Sequence, residues 1–271
     1  MIRTEDAAWI HADARIADDV EIGPFTSIGP HVEIGRGTVI GSHCTITGHT
    51  RIGANNKIVG HSVIGGAPQD LKYKGEATRL EIGDRNQIRE FVTINVGTVG
   101  GGGVTRIGND NMIMACAHIA HDCIFEDRII LANNCLLGGH IYVESDAIIS
   151  GGSVVHHFAT VGQHSFIGGM TRVSRDVPPY MIFVGAPPKV LGVNIVGLKR
   201  RGYTHDAISA LKEAHRYLFR SALSFNEAVE ECRDLMAVAP EIKVLVEAMR
   251  VTQNGKFGRA REALRDGETE A

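Results

Sequence analysis

An aliphatic residue returns at every sixth position along most of this chain, and no other feature limits its fold so strongly. The series begins Ile10, Ile16, Ile22, Ile28, Ile34, Ile40, Ile46, Ile52, Ile58, Ile64 and resumes at Ile82, Ile88 and Ile94. It starts again, one residue out of phase, at Ile107. From there it runs through Ile113, Ile119, Phe125, Leu131, Leu137, Val143, Ile149, Val155, Val161, Ile167 and Val173. A period of six fits neither the 3.6 of an α-helix nor the 3.5 of a coiled coil. Glycine often follows the aliphatic residue (Gly23, Gly29, Gly138, Gly162), and a mostly small residue such as Thr26, Cys44, Ala117 or Ser153 stands four places after it.

Each hexad therefore reads as one short strand and a turn, with the aliphatic residue and its small partner facing inward. Three hexads close a triangular coil of 18 residues, and coils stack by parallel strand pairing about 4.8 Å apart. Each buried Ile or Val contributes roughly 1.5–3 kcal/mol before the entropy of ordering is subtracted. The expected class is mainly β, a parallel β-helix of hexapeptide repeats. Glycine at 32 of 271 residues then marks repeated turns, and only 6% aromatics marks a core with no room for rings.

Two stretches break the period, 66–81 and the glycine-rich 97–106. In a solenoid such insertions are loops thrown outward, and they often belong to a site. After Val173 the pattern dissolves at Pro178-Pro179 and Pro187-Pro188, and helical signals take over. A helix is expected over about 204–221. A capping box, Ser224-Phe225-Asn226-Glu227, opens a second, and Pro240 suits the first turn of a third. The division expected is a β-helix over 1–190 and a helical domain over 191–271 that caps the open end, with the last dozen residues frayed.

The net charge of −3 argues against nucleic-acid binding through a broad basic face. No apolar run suffices for a membrane span, and Met1–Asp6 has no secretory apolar core. Five cysteines (Cys44, Cys116, Cys123, Cys135, Cys232) form no metal-binding pair or even set, which points to a reducing compartment, the cytoplasm.

Most of the 13 histidines fall in outward slots and read as solvated surface, as do His31, His43, His49 and His61. Ala117-His118-Ile119-Ala120-His121-Asp122 differs. At 18 residues per coil, His121 stacks beneath Gly139 and His157, and Asp122 beneath His140 and Phe158, with His156 beside them. A histidine beside a carboxylate is the minimal general-base unit, and a glycine N–H one coil away suits an oxyanion. These side chains leave a convex wall. A pocket needs a second wall, most economically another copy of the chain.

At this point the chain resembles a known family. Ile28-Gly29-Pro30-His31-Val32-Glu33-Ile34-Gly35, Gln69-Asp70-Leu71-Lys72-Tyr73, Ala117–Asp122, Ile130-Leu131-Ala132-Asn133-Asn134, Asp176-Val177-Pro178-Pro179-Tyr180 and Gly197-Leu198-Lys199-Arg200-Arg201-Gly202 are similar to the UDP-N-acetylglucosamine O-acyltransferases. These enzymes begin lipid A synthesis. The resemblance implies a left-handed coil, a homotrimer with sites between subunits, and transfer of a 3-hydroxyacyl chain from acyl carrier protein to the sugar 3-position. No cofactor or metal is implied, since the acyl chain arrives on the carrier's phosphopantetheine.

By the same resemblance His121 is the base, Asp122 supports it and the Gly139 N–H holds the oxyanion. Gln69, Asp70, Lys72 and His118 contact substrate, while His140, His156, Asn194, Arg200 and Arg201 bind nucleotide, phosphate or carrier. Gly169, at the family's acyl-length position, leaves the groove long. Asn95 stands where many members have histidine followed by arginine. His157 replaces a usual glutamine, Val196 a common glutamate, and Ala186-Pro187-Pro188 a histidine-bearing stretch. These positions keep a 3-amino analogue of the sugar open as the acceptor. The rival of another class is a three-histidine zinc enzyme like the β-helical carbonic anhydrases, with His118, His121 and His140 as ligands. Another hexapeptide acyltransferase and a purely structural solenoid are the remaining alternatives.

Overall fold

The computed structural model describes residues 3–4 and 7–263. The expected lack of a secretory leader at Met1–Asp6 and the fraying beyond Ala263 fall outside the described residues. The hexads build three parallel sheets that wrap one core. The first face includes Met112–Ile113, Ile130–Leu131, Ile148–Ile149 and Phe166–Ile167; the second His118–Ile119, Leu136–Leu137, Val154–Val155 and Arg172–Val173; the third Ile124–Phe125, Tyr142–Val143 and Thr160–Val161. Strands pair in register between coils, for example Ile119 with Leu137 and Leu137 with Val155.

Successive side chains of a strand point to opposite faces, so a two-residue strand sends one side chain in and one out. Ile46, Ile64, Ile94, Ile119 and Ile149 are fully buried, whereas their predecessors face outward. The small inward slot holds Thr26, Cys44 and Ser153, but also a ladder of buried asparagines. The Asn86 amide donates to Asn56 Oδ1 at 3.0 Å and to the Gly108 carbonyl at 2.9 Å, and its Oδ1 accepts the Asn111 N–H at 2.9 Å. Rings do enter the core, against the expectation: Phe125 is buried between Ile107 and Val143 of the adjoining coils.

Many of the turns along the prism edges carry one left-handed residue, among them Asp122 (φ 59°), His140 (62°) and Phe158 (63°) on the edge between the second and third faces. Bonds between stacked turns offset this conformation, as in His140 N–H to the His121 carbonyl at 3.0 Å. Both insertions leave the edge that joins the second face to the third, following the strands Val63–Gly66 and Thr93–Asn95.

The chain does not turn helical directly after the last coil. Met181–Gly185 adds to the first face, and Pro188–Val193 pairs back on it antiparallel. This outer strand crosses the 190/191 division. Proline is acceptable there because it begins an edge strand. The helices α1 (Ile195–Arg200), α2 (His205–Arg220), α3 (Phe225–Glu231), α4 (Arg233–Val238) and α5 (Glu241–Asn254) follow. Ser224 and Glu227 form the expected capping box. A second core, with Tyr180, Met181, Leu198, Leu211, Ile242 and Leu245, joins the helices to the hairpin. Where fraying was expected, Ala260–Ala263 is a 3-10 turn: Asp176 accepts the Ala260 N–H at 2.8 Å, and Arg259 donates to the Ser174 carbonyl at 2.6 Å. Among the described residues no helix is long and apolar enough to cross a membrane.

Candidate active site

The edge between the second and third faces carries the most concentrated chemistry. His121 Nδ1 lies 2.7 Å from Asp122 Oδ2. The carboxylate is buried and also accepts the Thr98 N–H on Oδ1 at 2.8 Å and the Thr98 hydroxyl on Oδ2 at 2.6 Å. With Nδ1 held as the donor to a carboxylate, Nε2 is left as the basic nitrogen of the ring. The stacking follows the 18-residue coil. A Cβ built on Gly139 would stand 2.6 Å from His121 Cε1, so the ring covers the space a side chain there would fill. His140 stacks on Phe158 with centroids 4.4 Å apart and meets the His121 ring edge-on at 5.0 Å. Gly138 and His140 donate their N–H groups to Val155 and His121 carbonyls. Among the described residues the Gly139 N–H between them has no backbone acceptor.

Two family models match: "Udp N-acetylglucosamine O-acyltransferase; Domain 2" over residues 176–257, and "Bacterial transferase hexapeptide (six repeats)" over residues 13–48. A curated acyl-[acyl-carrier-protein]–UDP-N-acetylglucosamine O-acyltransferase of Thiobacillus denitrificans is 49% identical over 255 residues, 94% of this chain and 99% of that one. Its counterpart in Burkholderia lata is 47% identical over 195 residues, 70% of this chain and 74% of that one. The crystal structure of the UDP-N-acetylglucosamine O-acyltransferase of Moraxella catarrhalis superposes with a TM-score of 0.86 at 44% identity, covering 90% of this chain and 95% of that one.

The chain belongs to the UDP-N-acetylglucosamine O-acyltransferase family. Its fold is that family's left-handed parallel β-helix of hexapeptide repeats with C-terminal helices.

Set out on this acyltransferase fold, the residues singled out by sequence fall on three different edges. Gln69, Asp70 and Lys72 sit in the first insertion, on the same edge as His121. Gln69 and Lys72 are exposed, and Asp70 Oδ1 accepts the Lys72 N–H at 3.0 Å. Asn95 is buried at the root of that loop, its amide donating to the Ala67 carbonyl at 3.0 Å and, more weakly, to Gly66. His156 and His157 continue the edge, with ring centroids 3.8 Å apart and His156 Nδ1 at 3.0 Å from the His157 carbonyl. His118, on the second face, places Nδ1 2.7 Å from Thr93 Oγ1.

Gly169 lies instead on the edge between the first and second faces, next to exposed Met170. Asn194 and Arg201 lie toward the third edge. Asn194 caps α1 by accepting the Gly197 N–H at 3.1 Å and donates to the His164 carbonyl at 2.9 Å, so its amide is a structural tie. Arg201 is engaged as well, 2.8 Å from buried Asp146, which also takes a two-pronged contact from Arg128. Arg200 remains exposed in the last turn of α1. His164 occupies the same outward slot of the hexad as His43 and His61. It is half-buried, 3.8 Å from Asp146, with the Tyr203 ring against it.

Burial shapes the electrostatics. His140 is pushed down to about 4, by burial first and then by His121, Arg261 and His157, against an opposing pull from Asp122. His118 is lowered by burial and by the nearby His121. Both imidazoles are therefore neutral at neutral pH. The zinc reading needed His118, His121 and His140 together. Among the described residues, the metal-ligating atoms that converge within 4.8 Å are those of His121, Asp122 and His140, with His118 outside the group. A cavity of about 930 Å³ lies away from this edge, lined by Pro179, Phe183, Val190, Phe219, Val244 and Met249 among others.

Thr98, Asp146 and Arg128 were not among the residues expected at the site. The interrupted period at 97–106 was the available signal for Thr98, since an insertion on one edge of a solenoid tends to serve that edge.

Proposed function

We propose that the chain transfers a (3R)-3-hydroxyacyl group from acyl carrier protein to the 3-position of UDP-N-acetylglucosamine, the first step of lipid A biosynthesis. The His121–Asp122 pair beneath Gly139 is the observation that carries this reading. His121 Nε2 takes the proton of the sugar 3-hydroxyl as its oxygen attacks the thioester carbonyl. The C–O bond forms, the carbonyl oxygen becomes an oxyanion facing the Gly139 N–H, and collapse expels the phosphopantetheine thiolate. The imidazolium then returns the proton to that sulfur. Asp122 fixes the ring and stabilises its charged form. The protein needs no metal or bound cofactor for this, because the carrier's prosthetic group brings the acyl chain.

The working form is a homotrimer. The first face presents a column of half-buried outward apolar side chains, Met112, Ile130, Ile148, Phe166 and Ile182. The edges carrying Gly169 and Arg201 flank this face. A neighbouring copy whose His121 edge lay along it would gather the dispersed residues into one cleft. Gln69, Asp70, Lys72 and His118 would then meet the sugar and acyl region, and His140, His156, His157 and Arg200 the nucleotide and carrier. The reaction is set in the cytoplasm, in keeping with five unpaired cysteines.

The test is an acyl-transfer assay pairing a series of 3-hydroxyacyl carrier proteins with UDP-N-acetylglucosamine and its 3-amino analogue. Turnover of the hydroxyl acceptor with long chains is expected, and Gly169→Met should move the preference to shorter ones. Turnover of neither acceptor would overturn the reading, and amide formation alone would reassign the acceptor.

A further inference from the structure

The glycine-rich insertion ends on the dyad itself. Thr98 gives the Asp122 carboxylate two hydrogen bonds, N–H to Oδ1 at 2.8 Å and hydroxyl to Oδ2 at 2.6 Å, across 24 residues of chain. The Thr98 hydroxyl also accepts the Gly101 N–H at 3.2 Å, so both its donor and its acceptor capacity are used. The Thr98 carbonyl accepts the N–H groups of Gly101 and Gly103 at 3.2 and 2.8 Å, which closes the loop on itself. Gly101 then lies flat on the carboxylate: a Cβ built there would be 2.1 Å from Asp122 Cγ. From behind, the Asp122 N–H is held by Thr105 Oγ1 at 2.8 Å. The Asp122 side chain is 1% exposed, whereas that of His121 is 14% exposed.

From these contacts we infer that Thr98 is a positioning residue for acyl transfer, acting through Asp122 on His121, and that the 97–103 loop excludes water from the carboxylate. The inference rests on the reading of His121 as base. Oδ2 accepts from both His121 Nδ1 and the Thr98 hydroxyl. Thr98 therefore fixes the oxygen that orients the imidazole and takes up part of the carboxylate's charge. Removing the hydroxyl frees the carboxylate to turn and makes it more basic. A more basic carboxylate holds the imidazolium more tightly, so the ring stays protonated to higher pH. Gly101 is required because only a residue without Cβ allows the loop this close.

The experiment compares Thr98→Val, which keeps the side chain's shape, with Thr98→Ser, which keeps its hydroxyl, in the full-length enzyme. Thr98→Val should lower kcat by about ten- to a hundredfold with KM little changed, and move the acid limb of the kcat/KM profile to higher pH. Thr98→Ser should restore both. In an Asp122→Asn background Thr98→Val should add little, because the two residues act as one unit. Wild-type kcat and an unmoved acid limb in Thr98→Val, while His121→Ala is inactive, would overturn this inference alone. An active His121→Ala would instead bring down the base assignment beneath it. A Thr98→Val protein with low kcat that Thr98→Ser fails to rescue would reduce Thr98 to a packing role and refute the proposal.

Discussion

The His121 ring occupies the space above the Cα of Gly139, with Cε1 and Nε2 2.6 and 2.9 Å from where a Cβ would stand. Glycine is thus required at 139 to make room for the His121 ring rather than for the backbone. The clashing group is the end of a side chain, which can swing aside at small energetic cost. Gly139→Ala should therefore leave the melting temperature within a few degrees of wild type and lower kcat at least about a hundredfold. A large loss of stability with normal activity in the folded fraction would contradict this.

Because the candidate residues lie on three edges, sites shared between copies should complement one another. His121→Ala and Arg200→Ala are each expected to be nearly inactive alone. In trimers assembled at random from equal amounts of both, about one site in four would combine an intact His121 with an intact Arg200. Activity should recover to roughly that fraction. Recovery absent from demonstrably mixed trimers would place each site within a single chain.

The depressed His140 pKa makes a signed prediction about stability. Its folded value, about 4, lies below the ordinary histidine value of 6.5, so the unfolded chain binds more protons between these limits. Stability contributed by neutral His140 is fully present above pH 6.5 and is lost as the pH falls toward 4. His118 and His164, also lowered by burial, act in the same direction. Asp176 and Glu144, raised by burial, oppose them at the acid end. Thermal unfolding between pH 7 and 5 should show a falling midpoint, and His140→Asn should flatten the slope. An unchanged slope would contradict the assignment.

The asparagine ladder has a structural role alone. Asn86 is fully buried and serves Asn56, Gly108 and Asn111. Asn86→Ala strands these partners and should cost about 3 kcal/mol. The loss should appear as a lower unfolding midpoint at fixed protein concentration, with kcat unaffected below it. A midpoint equal to wild type would show that the ladder is dispensable.

Much of this architecture was legible because one aliphatic residue per hexad is a local requirement, repeated in every strand. The stacking of His121 on Gly139 and of His140 on Phe158 follows from the 18-residue coil alone. What stayed hidden depends on partners far along the chain. Thr98 has meaning only once its loop folds over Asp122. Arg201 was expected to bind nucleotide, phosphate or carrier, and its ion pair was hidden because Asp146 is 55 positions away in another coil. His164 shares the outward slot of exposed His43 and His61, and the rings of Tyr180 and Tyr203, both distant in sequence, cover it. The outer hairpin was missed because Pro187-Pro188 reads as an end to repetition, which is also what an edge strand tolerates.

In the proposed reaction the His121 imidazole removes the acceptor's proton. Steady-state acyl transfer by His121→Ala, using 3-hydroxyacyl carrier protein and UDP-N-acetylglucosamine, tests it most directly, with trimer assembly checked by light scattering. The expected result is an intact trimer whose kcat/KM falls by about 10³-fold or more, with the pH-dependent acid limb abolished. An intact trimer with activity within tenfold of wild type and the same acid limb would contradict it.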